Sequence, residues 1–233
     1  MARQNLFLTL QDSAGATAQE VGIDDAIVAG WTGRDAAAVE KHIAELEALG
    51  VKRPATTPIF YRVSAARLTT ATEIEVVGAH SGGEVEFVLL QHRGRMWVGT
   101  GSDHTDRQVE TYSVTVSKQM CDKPVAPVFW AFDEVVPHWD RLRLRAHVIE
   151  HGEHKIYQEG SVAAMLAPLA LISRCALFSG TAQLADNTLM FCGTLAARGG
   201  VRRTDRFEFE IEDPVLGRSI AHAYSVRRLP VLG

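Results

Sequence analysis

Glu84-Val85-Glu86-Phe87-Val88-Leu89-Leu90-Gln91 opens on alternating carboxylates and closes as an unbroken apolar run. Eight residues of this kind are a strand's length, and on a strand side chains i and i+2 share a face. Glu84 and Glu86 therefore point one way, while Val85 and Phe87 point to a core. An isolated E-x-E is usually a solvent-facing strand. A run as apolar as Phe87–Leu90 instead suits a strand covered on both sides, which sets the glutamate pair at the mouth of a buried strand. Two like charges so close repel unless a cation or water lies between them.

Working outward, the neighbouring segments are also strands. Ile59–Val63, Glu73–Val77 and Arg95–Gly99 are short and β-rich, with Gly or polar turns between them. Arg141–Glu150 alternates, with Leu142, Leu144, Ala146 and Val148 on one face, and Arg206–Glu212 sets Phe207, Phe209 and Ile211 against three glutamates. The N-terminus reads as a strand (Asn5–Leu10), a polar turn and a second apolar segment, Ala26–Trp31. A helix follows, capped by Asp35, running from Ala36 to Leu49 and ended by Gly50, with Val39, Ile43 and Leu46 as its apolar stripe. A second helix is expected over Val162–Ser173, started or interrupted by Pro168. Strands dominate and helices do not alternate with them, so the fold class is α+β, mostly β, a sandwich or roll with a few short helices. Residues 1–50 form an N-terminal piece carrying the helix, and 51–233 the main β-roll domain.

The chain has 233 residues, 46% hydrophobic and 22% charged, with a net charge of -4. A nucleic-acid binder would show a clear Lys/Arg excess, and no run reaches the roughly 18–20 apolar residues of a membrane span. The opening Met1–Asp12 lacks the apolar core and cleavage site of a signal peptide. Three cysteines, Cys121, Cys175 and Cys192, without C-x-x-C spacing read as reduced thiols of a cytoplasmic protein.

Chemistry concentrates in three places. Gly99-Thr-Gly-Ser-Asp-His-Thr-Asp-Arg107 leaves a strand and supplies Asp103 as a third carboxylate soon after Glu84 and Glu86. Three carboxylates without cysteine partners are hard oxygen donors, suited to Mg²⁺, Mn²⁺ or Ca²⁺ rather than to tetrahedral zinc; the plainer alternative is an Asp/Arg turn ion pair. On the N-terminal helix His42 and Glu45 stand at i and i+3, close enough to meet. A carboxylate that orients an imidazole makes a general base near neutral pH, although most such pairs are simply exposed. The third cluster, His147, His151 and His154, falls at a hairpin tip and reads as a surface turn.

Taken in order, these pieces resemble the fumarylacetoacetate hydrolase superfamily over roughly residues 30–229. The family's G-R-N and H-x-x-E helix are similar to Gly33-Arg34-Asp35 with His42 and Glu45, and its Pro-rich strand entry to Pro54 through Phe60. Its E-x-E strand matches Glu84-Val85-Glu86, and its N-D-x-S-A-R segment matches Ser102 through Arg107. A K-x-x-D/C…P segment matches Lys118 to Cys121 through Pro127, the G-T-P loop Gly193-Thr194-Leu195, and the C-terminal pattern Phe207–Gly217. Asp35 replaces an Asn, Leu195 replaces a Pro, and a Tyr usually found before the His is missing.

The resemblance implies a β-sandwich roll, a divalent cation, a small keto-acid substrate and a homodimer. It further implies a hydrolase cleaving a C–C bond in a β-diketo acid or acylpyruvate. In that reading Glu84, Glu86 and Asp103 hold Mg²⁺ or Mn²⁺, which stabilises the departing enolate. His42 and Glu45 activate water, Lys118 supplies positive charge, and Arg107 and Thr194 bind substrate. A decarboxylase or hydratase on the same metal site, and a non-catalytic binder of the same fold, remain the alternatives.

Overall fold

The computed structural model describes residues 3–48, 53–150, 152–175 and 183–232. In chain order the strands are β1 (Gln4–Asp12), β2 (Gly15–Ile23), β3 (Asp25–Gly30), β4 (Ile59–Val63), β5 (Leu68–Thr69), β6 (Glu73–Val77), β7 (Ser81–Gly82), β8 (Val85–His92), β9 (Arg95–Ser102), β10 (Thr105–Asp106), β11 (Lys123–Pro124), β12 (Val128–Ala131), β13 (Arg143–Glu150), β14 (Glu153–Ser161), β15 (Thr188–Thr194), β16 (Arg206–Asp213) and β17 (Arg218–Leu229). The helices are α1 (Ala36–Ala48), α2 (Arg107–Tyr112), α3 (Val114–Met120), α4 (Phe132–Val135) and α5 (Pro168–Arg174). The fold is therefore α+β and mostly β, with few short helices and curled sheets. No helix among the described residues is long and apolar enough to cross a membrane.

Two sheets carry the architecture. Eight strands run β2-β1-β12-β9-β8-β15-β3-β4, and five run β14-β13-β16-β17-β6. The N-terminal strands β1 and β3 lie inside the larger sheet, beside strands from far along the chain. Between the sheets sits the main core: Val85, Phe87 and Leu89 of β8 meet Leu144, Ala146 and Val148 of β13 and Phe207, Phe209 and Ile211 of β16. The alternation of β13 and β16 thus places their apolar faces inward as expected. A second core lies on the other face of the large sheet and joins Leu6, Leu8 and Leu10 of β1 to Val28 of β3 and Tyr61 of β4. Residues near opposite ends of the strand order share one cluster, so the sheet curls around it. Val88 and Leu90 belong to this second core, and β8 is covered on both sides.

Several elements depart from the sequence reading. The polar stretch after β1 is itself a strand, β2, paired with β1 in full antiparallel register. Its first six residues are not buried, which leaves no apolar alternation to read. The single helix expected over Val162–Ser173 divides into one turn of 3₁₀ helix, Val162–Ala164, and α5. Pro168 lacks an N–H and is tolerated only in a helix's first turn, so it begins α5 rather than continuing the turn before it. Asp35 does cap α1, accepting from the backbone N–H groups of Ala37 and Ala38 at 2.9 and 3.1 Å. Gly50 lies outside the described residues. The β13–β14 hairpin forms where the three histidines pointed to a turn; His151 lies outside the described residues.

Candidate active site

Strand register assembles the three carboxylates. In the β8–β9 hairpin Val85 faces Ser102 and Glu86 faces Gly101, and one step on the Asp103 N–H donates to the Glu84 carbonyl at 3.0 Å. Glu84 and Asp103 are thus cross-strand neighbours, and Glu86 follows two residues along on the same face. That face is the one carrying Val88 and Leu90, at the mouth of the curled sheet. Glu86 and Asp103 are buried, at 2% and 0% exposure.

Three cations meet these anions. Lys118, on α3, donates to Asp103 Oδ2. Lys123, fully buried on β11, lies 2.9 Å from Asp103 Oδ1 and also donates to the His104 carbonyl. Its position follows from the segment after α3, which runs beside the end of β9: Gly101 bridges Val125, and Ala126 N–H donates to Thr100 O. Arg107 begins α2 and pairs with Glu84 at 3.1 Å and Glu110 at 3.0 Å, rather than with Asp103 or Asp106. Asp106 instead caps α2, accepting from Gln108 and Val109 N–H.

Burial and charge then sort the titrations. Burial alone would raise Asp103, but Lys118 and Lys123 outweigh it and hold the carboxyl far below its ordinary range. Lys118 is raised, because Asp103 and Glu84 outweigh its burial. Lys123 shares Asp103 but is lowered, since burial and the neighbouring Lys118 act against its charge. Glu86 is pushed well up by burial, then by Asp103, with Lys118 and the bond from Gly193 opposing. His104 is held neutral, with a pKa of about 3, by burial and by Lys123 and Arg107; its Nδ1 meets Tyr224 Oη at 2.8 Å.

The remaining expected residues are placed as follows. Gly193 N–H donates to Glu86 Oε2 at 2.7 Å, and the Thr194 hydroxyl donates to Val85 O at 2.7 Å. Gly193 has φ +98, and a Cβ there would run into Thr32 Oγ1, so this irregular end of β15 admits only glycine. The backbone of α1 carries His42 and Glu45, but their side chains lie outside the described residues. Sequence reasoning missed Lys123, whose only signal is a lone lysine before an apolar run, and Gln158, which carried none.

Among the described residues no three acidic, His or Cys side chains are already gathered as a metal cluster. The donor set nevertheless fits a hard divalent cation. All three carboxylates share one face, and Glu86, whose charge burial and Asp103 disfavour, has no salt-bridge partner among the described residues. Asp103 is paired with Lys118 and Lys123, and Glu84 with Arg107.

This curled double sheet has the fold seen in solved structures of the fumarylacetoacetate hydrolase superfamily. The chain belongs to the family described as protein of unknown function DUF2848, whose profile matches residues 29–224. Among curated proteins none matches the sequence. Solved structures share the fold at low identity. One is the fumarylpyruvate hydrolase from Pseudomonas aeruginosa in complex with Mn²⁺ and pyruvate (TM-score 0.63, 17% identity, covering 99% of this chain and 98% of that one). A fumarylacetoacetate hydrolase from Exiguobacterium antarcticum aligns with TM-score 0.61 and 18% identity over 88% of this chain and 75% of that one. A 2-keto-3-deoxy-D-arabinonate dehydratase complexed with magnesium and 2,5-dioxopentanoate aligns with TM-score 0.59 and 15% identity, over 88% and 73%.

Proposed function

We propose that this chain is a divalent-metal-dependent hydrolase cleaving a C–C bond in a β-diketo acid of the acylpyruvate kind. The observation that carries the reading is the strand register that sets Glu84, Glu86 and Asp103 on one face, with Lys118 against Asp103. These carboxylates would hold Mg²⁺ or Mn²⁺, with Ca²⁺ allowed by donor type. When bound, the ion supplies Lewis-acid charge for an oxygen that becomes negative during the reaction.

The chain's own groups do the rest. His42, oriented by Glu45, takes a proton from water, whose oxygen adds to the distal carbonyl. The C–C bond breaks, its electron pair passes to the keto-acid fragment, and that fragment is then protonated. Lys118 keeps its charge despite burial, because Asp103 and Glu84 favour the ammonium, and it stabilises the developing oxyanion. Arg107 has an unpartnered buried Nε with which to reach a substrate carboxylate. Thr194 has spent its hydroxyl proton on Val85 O and accepts from Gln158, so it offers substrate an acceptor only.

The test is depletion of acylpyruvates, oxaloacetate and a 2-keto-3-deoxy sugar acid by the Mn²⁺-loaded protein, read by mass. Acid plus pyruvate fragments are expected. Loss of CO₂ or of water alone would replace hydrolysis by lyase chemistry, and no consumption of any compound would overturn the enzyme reading.

A further inference from the structure

We infer that Gln158 is a positioning residue for this site, acting through Glu86 and the Gly193–Thr194 bulge of β15; the inference rests on the metal-site reading above. Gln158 belongs to β14 in the smaller sheet, yet its side chain crosses to the carboxylate hairpin and is fully buried. Its Oε1 accepts from Val85 N–H at 2.8 Å, the residue between the two glutamates. Its Nε2 donates to Thr194 Oγ1 at 2.8 Å and to Leu195 O at 2.6 Å. Thr194 closes the ring by donating to Val85 O, and Gly193 N–H holds Glu86 Oε2. One amide therefore ties the carboxylate strand to the bulge of β15 that grips its buried glutamate.

Two irregularities of pairing make this possible. Against β13, Ala146 pairs with Gln158 but His147 pairs with Ile156, so Tyr157 is an extra residue and β14 bulges there. Strand residues alternate between faces, but the bulge lets Tyr157 and Gln158 both be buried, at 1% and 0% exposure. Against β8, the register of β15 slips between Phe191 and Thr194, which lifts Gly193 over Glu86. Bulges re-aim side chains near active sites, and here Gln158 joins one bulge to the other. A glutamine serving packing alone would not need three polar partners on two segments, all of them flanking Glu86.

The experiment compares the full-length chain with Gln158→Leu, which breaks all three bonds. Gln158→Glu, which can still accept from Val85 but cannot donate, and Thr194→Val accompany it in case the leucine variant fails to fold. Mn²⁺ affinity is read by calorimetry, and amide exchange is followed over residues 83–87 and 191–197. Affinity is expected to fall about tenfold in Gln158→Leu, equivalent to about 1.4 kcal/mol, and about threefold in the other two. Exchange should quicken in both segments together. Wild-type Mn²⁺ affinity and unchanged exchange in a folded variant overturn the inference, whatever happens to its melting temperature. A wild-type protein that binds no Mn²⁺ overturns the metal reading instead, and the exchange data then decide the role of Gln158 by themselves.

Discussion

Glu86→Gln should make the metal-free protein more stable and the metal-loaded protein unresponsive. Glu86 is 2% exposed, accepts one hydrogen bond from Gly193, and shares its face with Glu84 and Asp103. Its charge is opposed by burial first and by Asp103 next, with only partial relief from Lys118. A neutral amide of the same shape keeps an acceptor for Gly193 and removes that opposition. Relief of a functional strain of this kind is worth about 0.5–2 kcal/mol. At about 2–4 °C per kcal/mol for a domain of this size, the apo melting point should rise about 1–8 °C at pH 7. The pH dependence follows from the sign of the shift. A carboxyl whose folded pKa is raised favours folding below its unfolded value, and that contribution is lost as pH climbs through the folded value. The two proteins should therefore converge near pH 4 and separate toward neutrality. With Mn²⁺ at 100-fold excess over Kd the wild type should gain about 2.7 kcal/mol, whereas Glu86→Gln should gain little. Differential scanning calorimetry across pH, with and without Mn²⁺, measures both. A variant less stable than wild type in the apo form, or one that keeps the full Mn²⁺ shift, would refute the reasoning.

Two further variants test neighbouring claims. Asp103→Asn strips the charge partner from two buried lysines, Lys118 and Lys123. Breaking a buried pair this way costs about 3–5 kcal/mol, so the melting point should fall about 6–20 °C, with the gap narrowing at alkaline pH as the stranded ammonium groups lose protons; a fall under 3 °C at pH 7 would show that the lysines do not depend on Asp103. His42→Ala should leave Mn²⁺ affinity unchanged while turnover drops about 10²–10⁴-fold, and Glu45→Gln should drop it less. Wild-type turnover by His42→Ala on a confirmed substrate removes the helix from the mechanism.

What could be read from the sequence was whatever local periodicity records. The alternation in Leu142–Val148 and Phe207–Ile211 located two core strands, and the apolar run after Glu86 marked a strand buried on both faces. Glu84, Glu86 and Asp103 were legible as a group because one hairpin carries all three, so local register alone brings them together. Lys123 and Gln158 were not legible for the converse reason. Each reaches the site through long-range pairing, one along the end of β9 and the other across from the second sheet through a bulge. A one-residue bulge changes which face a side chain takes and leaves no mark on composition.

The charge arrangement also says why such a costly cluster persists. Glu84, Glu86 and Asp103 face Arg107, Lys118 and Lys123, three carboxyl groups against three basic side chains in a largely buried space. Buried ion pairs seldom add net stability, because desolvation consumes most of their attraction. Apolar side chains of similar volume would satisfy the fold at least as well, as Val88 and Leu90 do on the same face of β8. The ions also fall into two segments rather than mixing. The carboxylates come from the β8–β9 hairpin, while the cations come from the α2, α3 and β11 stretch laid against it. That division leaves Glu86 unmatched by any salt bridge among the described residues. A fold optimised only for stability would have neutralised or removed that carboxylate. Keeping it, with Gly193 fixing one oxygen, is the pattern expected of a functional site.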